Sequence, residues 1–273
     1  MPTLELTAGT IDYEDTGGDG PVVVLVHGLV QSATVWRHVI AELSPDIRCV
    51  APTLPFGSHR TPMKPNADLS LRGLAAMVAE VLDRLDLTDV TVVGNDWGGH
   101  QLLVDDERVG RLGLVACEAF DNLPPGLPGR MIRYATLVPG GFTAMAKSLR
   151  FKRLRQMPMA FGWMSKHGVP DAVLDDWFAP IRTDPAVRRD VLKYAKSARA
   201  AQMVAATDRL RTFDKPALVV WASEDRIMPR DHGRRLARLL PKGELVEIAD
   251  SYTLIPVDQP TALATAIRDF VTR

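Results

Sequence analysis

The sequence predicts an α/β fold with a mostly parallel central sheet of about eight strands and flanking helices. Short runs of β-branched residues, such as 22–26 and 217–221, alternate with segments of helical periodicity, which is the pattern of parallel strands joined by crossover helices. From about 120 to 211 this alternation stops, and prolines separate several helical patterns. We therefore expect core segments 1–119 and 212–273 around a helical lid, 120–211, inserted after the sixth strand.

The individual elements follow from apolar runs and the turns between them. Two short N-terminal runs can pair as an antiparallel ribbon, and the later helical segments carry apolar residues on one face. Before the lid, the predicted order is ribbon strands 4–8 and 11–14, strand 22–26, helix 34–43, strand 47–51, a Pro-, Gly- and Ser-rich loop 52–68, helix 71–85, a strand ending at 93 and strand 112–117. After the lid come strand 217–221, helix 231–240, strand 244–248 and helix 259–272.

Composition favours a small, mainly apolar ligand. Lys+Arg and Asp+Glu each number 33, so there is no overall charge to attract nucleic acid or an anionic membrane. The first 20 residues lack a basic region followed by an apolar run, and no stretch approaches the ~18 apolar residues of a membrane span, which predicts a cytoplasmic protein. Cys49 and Cys117 fall in apolar strand-like runs, so we expect buried thiols and no metal or cofactor.

The segment Val92-Val93-Gly94-Asn95-Asp96-Trp97-Gly98-Gly99-His100 is the strongest functional signal. A buried strand running into paired glycines predicts a sharp strand-turn-helix, the shape of a nucleophile elbow. The raised residue is Asp96, whose carboxylate is ordinarily ionised at neutral pH and needs no base before it attacks. It can displace a leaving group from an sp3 carbon and form an alkyl ester, whose hydrolysis normally requires a His and a second acid.

In this order of elements the sequence resembles an α/β-hydrolase over nearly its whole length. The resemblance rests on His27-Gly28 after one strand, the elbow at Asp96, the mid-chain lid and Asp225 after a late strand. Because Asp96 is followed by Trp97-Gly98-Gly99, the sequence is most similar to the haloalkane dehalogenase and epoxide hydrolase branch. The resemblance implies the α/β-hydrolase fold and alkylation of the elbow carboxylate.

The resemblance also implies roles for residues around the elbow. The backbone N–H groups of Leu29, in the loop with His27 and Gly28, and of Trp97 would stabilise an oxyanion. The Trp97 indole would help hold a halide, or simply pack above the sheet.

Two further roles come from elsewhere in the chain. Asp225 stands where the family carries the acid that orients the catalytic His, or it serves a turn or pairs with Arg226. Lid tyrosines Tyr134 and Tyr194 would polarise an epoxide oxygen, or pack.

The sequence departs from this family at the catalytic His itself. Thr253 occupies the expected position, and a Thr hydroxyl is no base at neutral pH. His59 and His100 are candidate substitutes, with a solvated loop residue and a packed side chain as their respective alternatives. For His27 the alternative to a substrate-binding role is a hydrogen bond that organises its loop.

Three functions remain open at this stage. The first is alkyl-enzyme chemistry on Asp96, of the dehalogenase or epoxide hydrolase kind, with an unusual base. The second is a non-hydrolytic isomerase, cyclase or lyase that uses Asp96 to move protons. The third is a ligand-binding homologue without turnover.

Overall fold

The structure, a computed structural model describing residues 1–273, is built on one eight-stranded sheet. The strands are β1 (Thr3–Leu6), β2 (Gly9–Asp15), β3 (Val22–Val26), β4 (Arg48–Pro52), β5 (Val90–Asp96), β6 (Val109–Cys117), β7 (Ala217–Ala222) and β8 (Gly243–Ile248). Their order is β1-β2-β4-β3-β5-β6-β7-β8. The β1-β2 and β2-β4 pairs are antiparallel and all other pairs are parallel, which confirms the predicted fold class.

Eleven α-helices surround the sheet. They are α1 (Arg37–Leu43), α2 (Leu71–Arg84), α3 (Gly126–Leu137), α4 (Gly141–Ser148), α5 (Lys152–Arg155), α6 (Asp171–Thr183), α7 (Pro185–Ser197), α8 (Ala200–Arg209), α9 (Arg230–Leu239), α10 (Ile255–Asp258) and α11 (Pro260–Val271). Three 3₁₀ segments complete the structure: Ala33–Trp36, Gly99–Asp105 and Leu210–Thr212. No helix is both long and apolar enough to span a membrane.

The middle of the sheet is buried because helices cover both of its faces. Every residue of β5 is buried, including its polar end at Asn95 and Asp96. The adjacent helix α2 begins where the Ser70 side chain accepts a hydrogen bond from the Gly73 N–H, and it buries one apolar face. The carboxyl end of β5 is therefore a rigid place from which to present a side chain.

The predicted helix after the elbow is instead a 3₁₀ segment, Gly99–Asp105. Only residues 97–108 connect the parallel strands β5 and β6. About a dozen residues is the usual minimum for such a crossover. A 3₁₀ segment rises about 2.0 Å per residue against about 1.5 Å for an α-helix, so it covers the return distance with fewer residues.

Six consecutive helices, α3 to α8, separate β6 from β7, and we refer to them as the inserted helices. They interrupt the core at the position where the sequence predicts a lid. Several of them face the end of the sheet that carries Asp96, because residues of α3, α4, α6 and α7 line the same cavity as that side chain. The 120–211 boundary of a separate lid domain stays a prediction.

Candidate active site

A tight turn at the end of β5 holds Asp96 in a strained conformation. Its φ is +66°, and the Trp97 N–H donates to the carbonyl oxygen of Asn95 at 2.8 Å, closing a three-residue γ-turn. The following glycines are required by close packing: a Cβ on Gly98 would lie 2.1 Å from the Glu118 carbonyl oxygen. The elbow shape inferred from the sequence is present, but the Trp97 amide is occupied by this turn.

The two oxygens of the Asp96 carboxyl group have different partners. Oδ2 accepts hydrogen bonds from the Leu29 N–H and from Gln31 Nε2, each at 3.2 Å, while Oδ1 accepts none from the protein. Gly28 permits this approach, because a Cβ there would lie 1.9 Å from Oδ2. The amide of Leu29 therefore contacts the carboxyl group itself, and Gln31 supplies the second donor expected from the Trp97 amide.

A cavity of about 220 Å³ opens beside Asp96, beneath the inserted helices. Of its 31 lining residues 23 are hydrophobic, so it suits a small apolar molecule. Among its lining are Leu29, Trp97, Glu118 and Tyr194. Loop 52–68 contributes none of the lining, although it begins at the carboxyl end of β4.

Burial changes the charge state expected for Asp96. Burial raises the pKa of this carboxyl group to about 7, the Leu29 N–H opposes the rise, and the negative charge of Asp225 adds to it. The sequence alone predicts a fully ionised carboxylate at neutral pH. In the folded protein a pKa of about 7 instead leaves part of the Asp96 population protonated at neutral pH.

Glu118 is a second buried carboxyl group in the same cavity, and it was not predicted from the sequence. It follows β6 directly, its N–H donates to the Asp96 carbonyl oxygen at 2.9 Å, and its Oε2 accepts from the Gly98 N–H at 3.3 Å. Burial and the charge of Asp96 raise its pKa well above the ordinary value, against the effect of the Gly98 N–H. Its place at the carboxyl end of the strand next to β5 is the signal that would have found it.

Two hydrogen-bond donors in the cavity wall lie close together and have no partner in the protein other than each other. They are the indole Nε1 of Trp97 and the hydroxyl of Tyr194, both buried. Tyr194 comes from α7, so core and inserted helices each supply one donor. Tyr134, the other lid tyrosine expected at the site, is 60% exposed and lies outside the cavity lining. It occupies an outward-facing position of α3, so Tyr194 alone of the two lines the cavity.

His27 organises its loop. Its Nδ1 donates to the Gly28 carbonyl oxygen at 2.8 Å, and its Nε2 accepts from the Leu54 N–H at 2.9 Å. Burial lowers the pKa of this imidazole to about 4, so it is neutral at pH 7. Both ring nitrogens are used in joining the loops after β3 and β4, and the expectation of substrate contact is corrected.

His59 lies outside the cavity lining, against α7. Its Nδ1 accepts from the Gly57 N–H at 3.2 Å, and its Nε2 is 3.3 Å from Oδ2 of Asp190. Asp190 also accepts from the Met63 N–H at 2.8 Å. The imidazole is thus committed to fastening loop 52–68 to the inserted helices, and it is not positioned to activate water at Asp96.

His100 is also outside the cavity lining. Its ring packs against the strand behind the elbow, where a Cβ on Gly94 would lie 2.4 Å from Nδ1, and Nδ1 donates to the Trp97 carbonyl oxygen at 2.9 Å. Burial lowers its pKa to about 4. His100 is therefore a packed side chain, which was the alternative to a role as base. No histidine is among the residues that line the cavity.

Asp225 and Thr253 meet as the resemblance implies for the acid and its partner. Asp225 Oδ1 accepts from the Ile227 N–H, the Met228 N–H and the Thr253 hydroxyl, each at 2.8 Å. Burial raises the pKa of Asp225 to about 6, and these donors oppose the rise. Asp225 does not line the cavity. Its side chain instead stabilises the turn at Ile227 and Met228 and is hydrogen-bonded to Thr253.

The sequence and the fold were compared with those of known proteins. The sequence model described as alpha/beta hydrolase fold matches residues 21–260. The chain belongs to the alpha/beta hydrolase fold family. A crystal structure of an alpha/beta hydrolase fold protein from Burkholderia ambifaria has the same fold, with a TM-score of 0.80 at 24% identity over 98% of this chain and 97% of that one.

Relatives of this alpha/beta hydrolase carry several enzyme names. Haloalkane dehalogenase 2 of Mycobacterium tuberculosis is 29% identical, covering 97% of this chain and 92% of the relative. A cis-3-alkyl-4-alkyloxetan-2-one decarboxylase of Xanthomonas campestris is 27% identical, covering 96% and 92%. The chain is thus an enzyme of the α/β-hydrolase class, and its resemblance to the haloalkane dehalogenase-like branch is confirmed.

Proposed function

We propose that this α/β-hydrolase acts on a small, mainly apolar alkyl electrophile through attack of Asp96 on carbon. The supporting observation is the asymmetry of the Asp96 carboxyl group. Oδ2 is held by Leu29 and Gln31, while Oδ1 is free of protein hydrogen bonds beside an apolar cavity. A carboxylate fixed through one oxygen presents the other as a positioned nucleophile.

For an alkyl halide, Oδ1 forms a bond to the sp3 carbon as the carbon–halogen bond breaks. The products are the Asp96 alkyl ester and a halide ion. Trp97 Nε1 and the Tyr194 hydroxyl, which have no protein partner other than each other, would donate hydrogen bonds to the departing halide. The same donors would serve an epoxide oxygen, so the proposal covers both electrophile classes named by the resemblance.

The direct test is release of bromide and butanol from 1-bromobutane by the purified protein. We expect release by the wild type and none above background by Asp96→Asn, which keeps the shape but loses the ionisable oxygen. Asp121→Asn is the matched control, because Asp121 is an exposed carboxylate near the end of β6 and outside the cavity lining. Equal release by wild type and Asp96→Asn would refute the proposal.

A second candidate is a non-hydrolytic reaction in which Asp96 and Glu118 exchange protons with the substrate. It is favoured by the cavity lining, which holds two carboxyl groups with raised pKa values and no imidazole. The Xanthomonas relative is named a decarboxylase, an activity that is not a hydrolysis. Turnover in ¹⁸O-labelled water separates the candidates, because only the hydrolytic route places solvent oxygen in the product after repeated cycles.

A further inference from the structure

An alkyl ester on Asp96 must be hydrolysed before the enzyme can act again. The titratable groups in the cavity lining are Asp96, Glu118, Arg133 and Tyr194. A guanidinium group has no lone pair with which to accept a proton, and burial raises the Tyr194 pKa well above its ordinary value, so neither Arg133 nor Tyr194 can take a proton from water. Once Asp96 is esterified, Glu118 is the one carboxyl group left in that lining.

We propose that Glu118 is the base that activates water for hydrolysis of the Asp96 ester, in place of the missing His. The inference rests on the proposed function. Its basis is placement: Asp96 and Glu118 end neighbouring parallel strands, Glu118 donates its backbone N–H to the Asp96 carbonyl oxygen, and both side chains face one cavity.

The charge on Asp96 would switch Glu118 between two states. The titratable groups around Glu118 are Asp96 on β5, Cys117 on β6 and Tyr194 on α7, and of these only Asp96 is negative near neutral pH. While Asp96 is ionised, its charge helps to keep Glu118 protonated. Alkylation neutralises Asp96 and removes that effect, so the Glu118 pKa falls. Burial still holds it above the ordinary value of a glutamate.

The step balances without any further reactant. After alkylation Glu118 releases its proton to solvent. Its carboxylate then takes a proton from water as the water oxygen bonds to Cγ of Asp96. The oxyanion forms on Oδ2, which the Leu29 N–H and Gln31 Nε2 already contact. The bond between Cγ and the alkoxy oxygen breaks, Glu118 returns the proton to the alkoxide, and the alcohol leaves. The second water proton is left on the new Asp96 carboxyl group and passes to Glu118, which restores both groups, so the proton that Glu118 first gave to solvent is the net proton released with the halide.

Rapid quenching and intact-mass spectrometry with 1-bromobutane measure formation and loss of the butyl-enzyme separately. We expect Glu118→Gln to form it at a rate similar to that of the wild type and to hydrolyse it about 10²- to 10⁴-fold more slowly, so that it accumulates. Glu118→Asp, which restores a carboxylate, should recover part of the hydrolysis rate. That rate should rise with pH in the wild type and be flat in Glu118→Gln, which a merely structural role would not produce.

Glu107→Gln is the matched control, because Glu107 is an exposed carboxylate outside the cavity lining. It should form and hydrolyse the butyl-enzyme like the wild type. If the adduct forms in Glu118→Gln and is hydrolysed at the wild-type rate, the inference is wrong and the proposed function stands. If no adduct or alcohol forms in any of these proteins, the proposed function fails, and the inference fails with it.

Discussion

The surroundings of single atoms decide the chemistry at this site. Asp96 Oδ2 has two donors and Oδ1 has none, so one carboxyl group supplies a fixed oxygen and a free one. Burial of the side chain raises the Asp96 pKa to about 7. Nucleophilicity therefore depends on pH in a range where an ordinary aspartate would be fully ionised.

The rate of alkylation should follow ionisation of Asp96. Only the carboxylate attacks carbon, so the rate constant for formation of the butyl-enzyme should rise as the pH rises through about 7 and then level off. Quenched-flow mass spectrometry from about pH 5 to about pH 9 measures this rate constant. A rate that is flat across this range, or that falls, would show that Asp96 does not titrate as the attacking group.

Ionisation of the buried Asp96 should lower the free energy of unfolding at neutral and alkaline pH. Its folded pKa of about 7 exceeds the unfolded value of about 3.9, so its contribution to stability is fully present below about pH 4 and is lost as the pH rises to about 7. Asp96→Asn stays neutral throughout. We expect a higher Tm than wild type at about pH 8 and a smaller difference at about pH 5 by thermal unfolding. A difference in Tm that does not change with pH would contradict this.

At the scale of elements, the site depends on how closely two strand ends approach. The loop after β3 and the turn after β5 meet at Gly28 and Asp96, where there is no room for a methyl group. The connection from β5 to β6 is short and contains a 3₁₀ segment, and β6 then runs parallel to β5, so Glu118 at its end returns to the cavity beside Asp96. Local sequence periodicity gives neither the approach of Gly28 to Asp96 nor that of Glu118 to Asp96, because both are set by the pairing of strands that are distant in the sequence.

Gly28→Ala should disrupt this approach. Its Cβ would overlap Asp96 Oδ2, so we expect a loss of about 1–3 kcal/mol in the free energy of unfolding and slower alkylation. Gly17→Ala is the comparison, because Gly17 has a φ of +66° with nothing within 4 Å of an added Cβ. It should cost only the backbone strain of about 1–2 kcal/mol and leave alkylation unchanged. Urea unfolding measures both; normal alkylation by Gly28→Ala would contradict the proposed close fit.

For the whole molecule, the sequence predicted the sheet, the position of the inserted helices and the turn at Asp96, because each depends on local patterns. It could not reveal Gln31, whose role arises from a loop that meets Asp96 only in the folded chain. Glu118 was missed although it directly follows the predicted strand 112–117, because the polar residue at that strand end was not considered. The sequence also proposed His59 and His100 as bases, since sequence position does not give the direction of a ring. Both imidazoles instead hold structural contacts.

The inserted helices should contribute to chemistry through Tyr194. Tyr194→Phe removes one of the two donors proposed for the leaving halide, and a hydrogen bond to a charged group contributes about 1.5–3 kcal/mol, so alkylation should slow about 10-fold or more. Tyr134→Phe, on the exposed face of α3, should leave the rate unchanged. Equal rates for the two variants would remove Tyr194 from the proposed site.

The claim on which the whole account depends is that Asp96 bonds to substrate carbon. Wild-type protein quenched during the first turnover with 1-bromobutane, then digested and sequenced by mass spectrometry, tests it most directly. We predict one butyl group on Asp96, in an amount equal to the bromide released. Bromide release with Asp96 unmodified, or with the butyl group on another residue, would contradict the account.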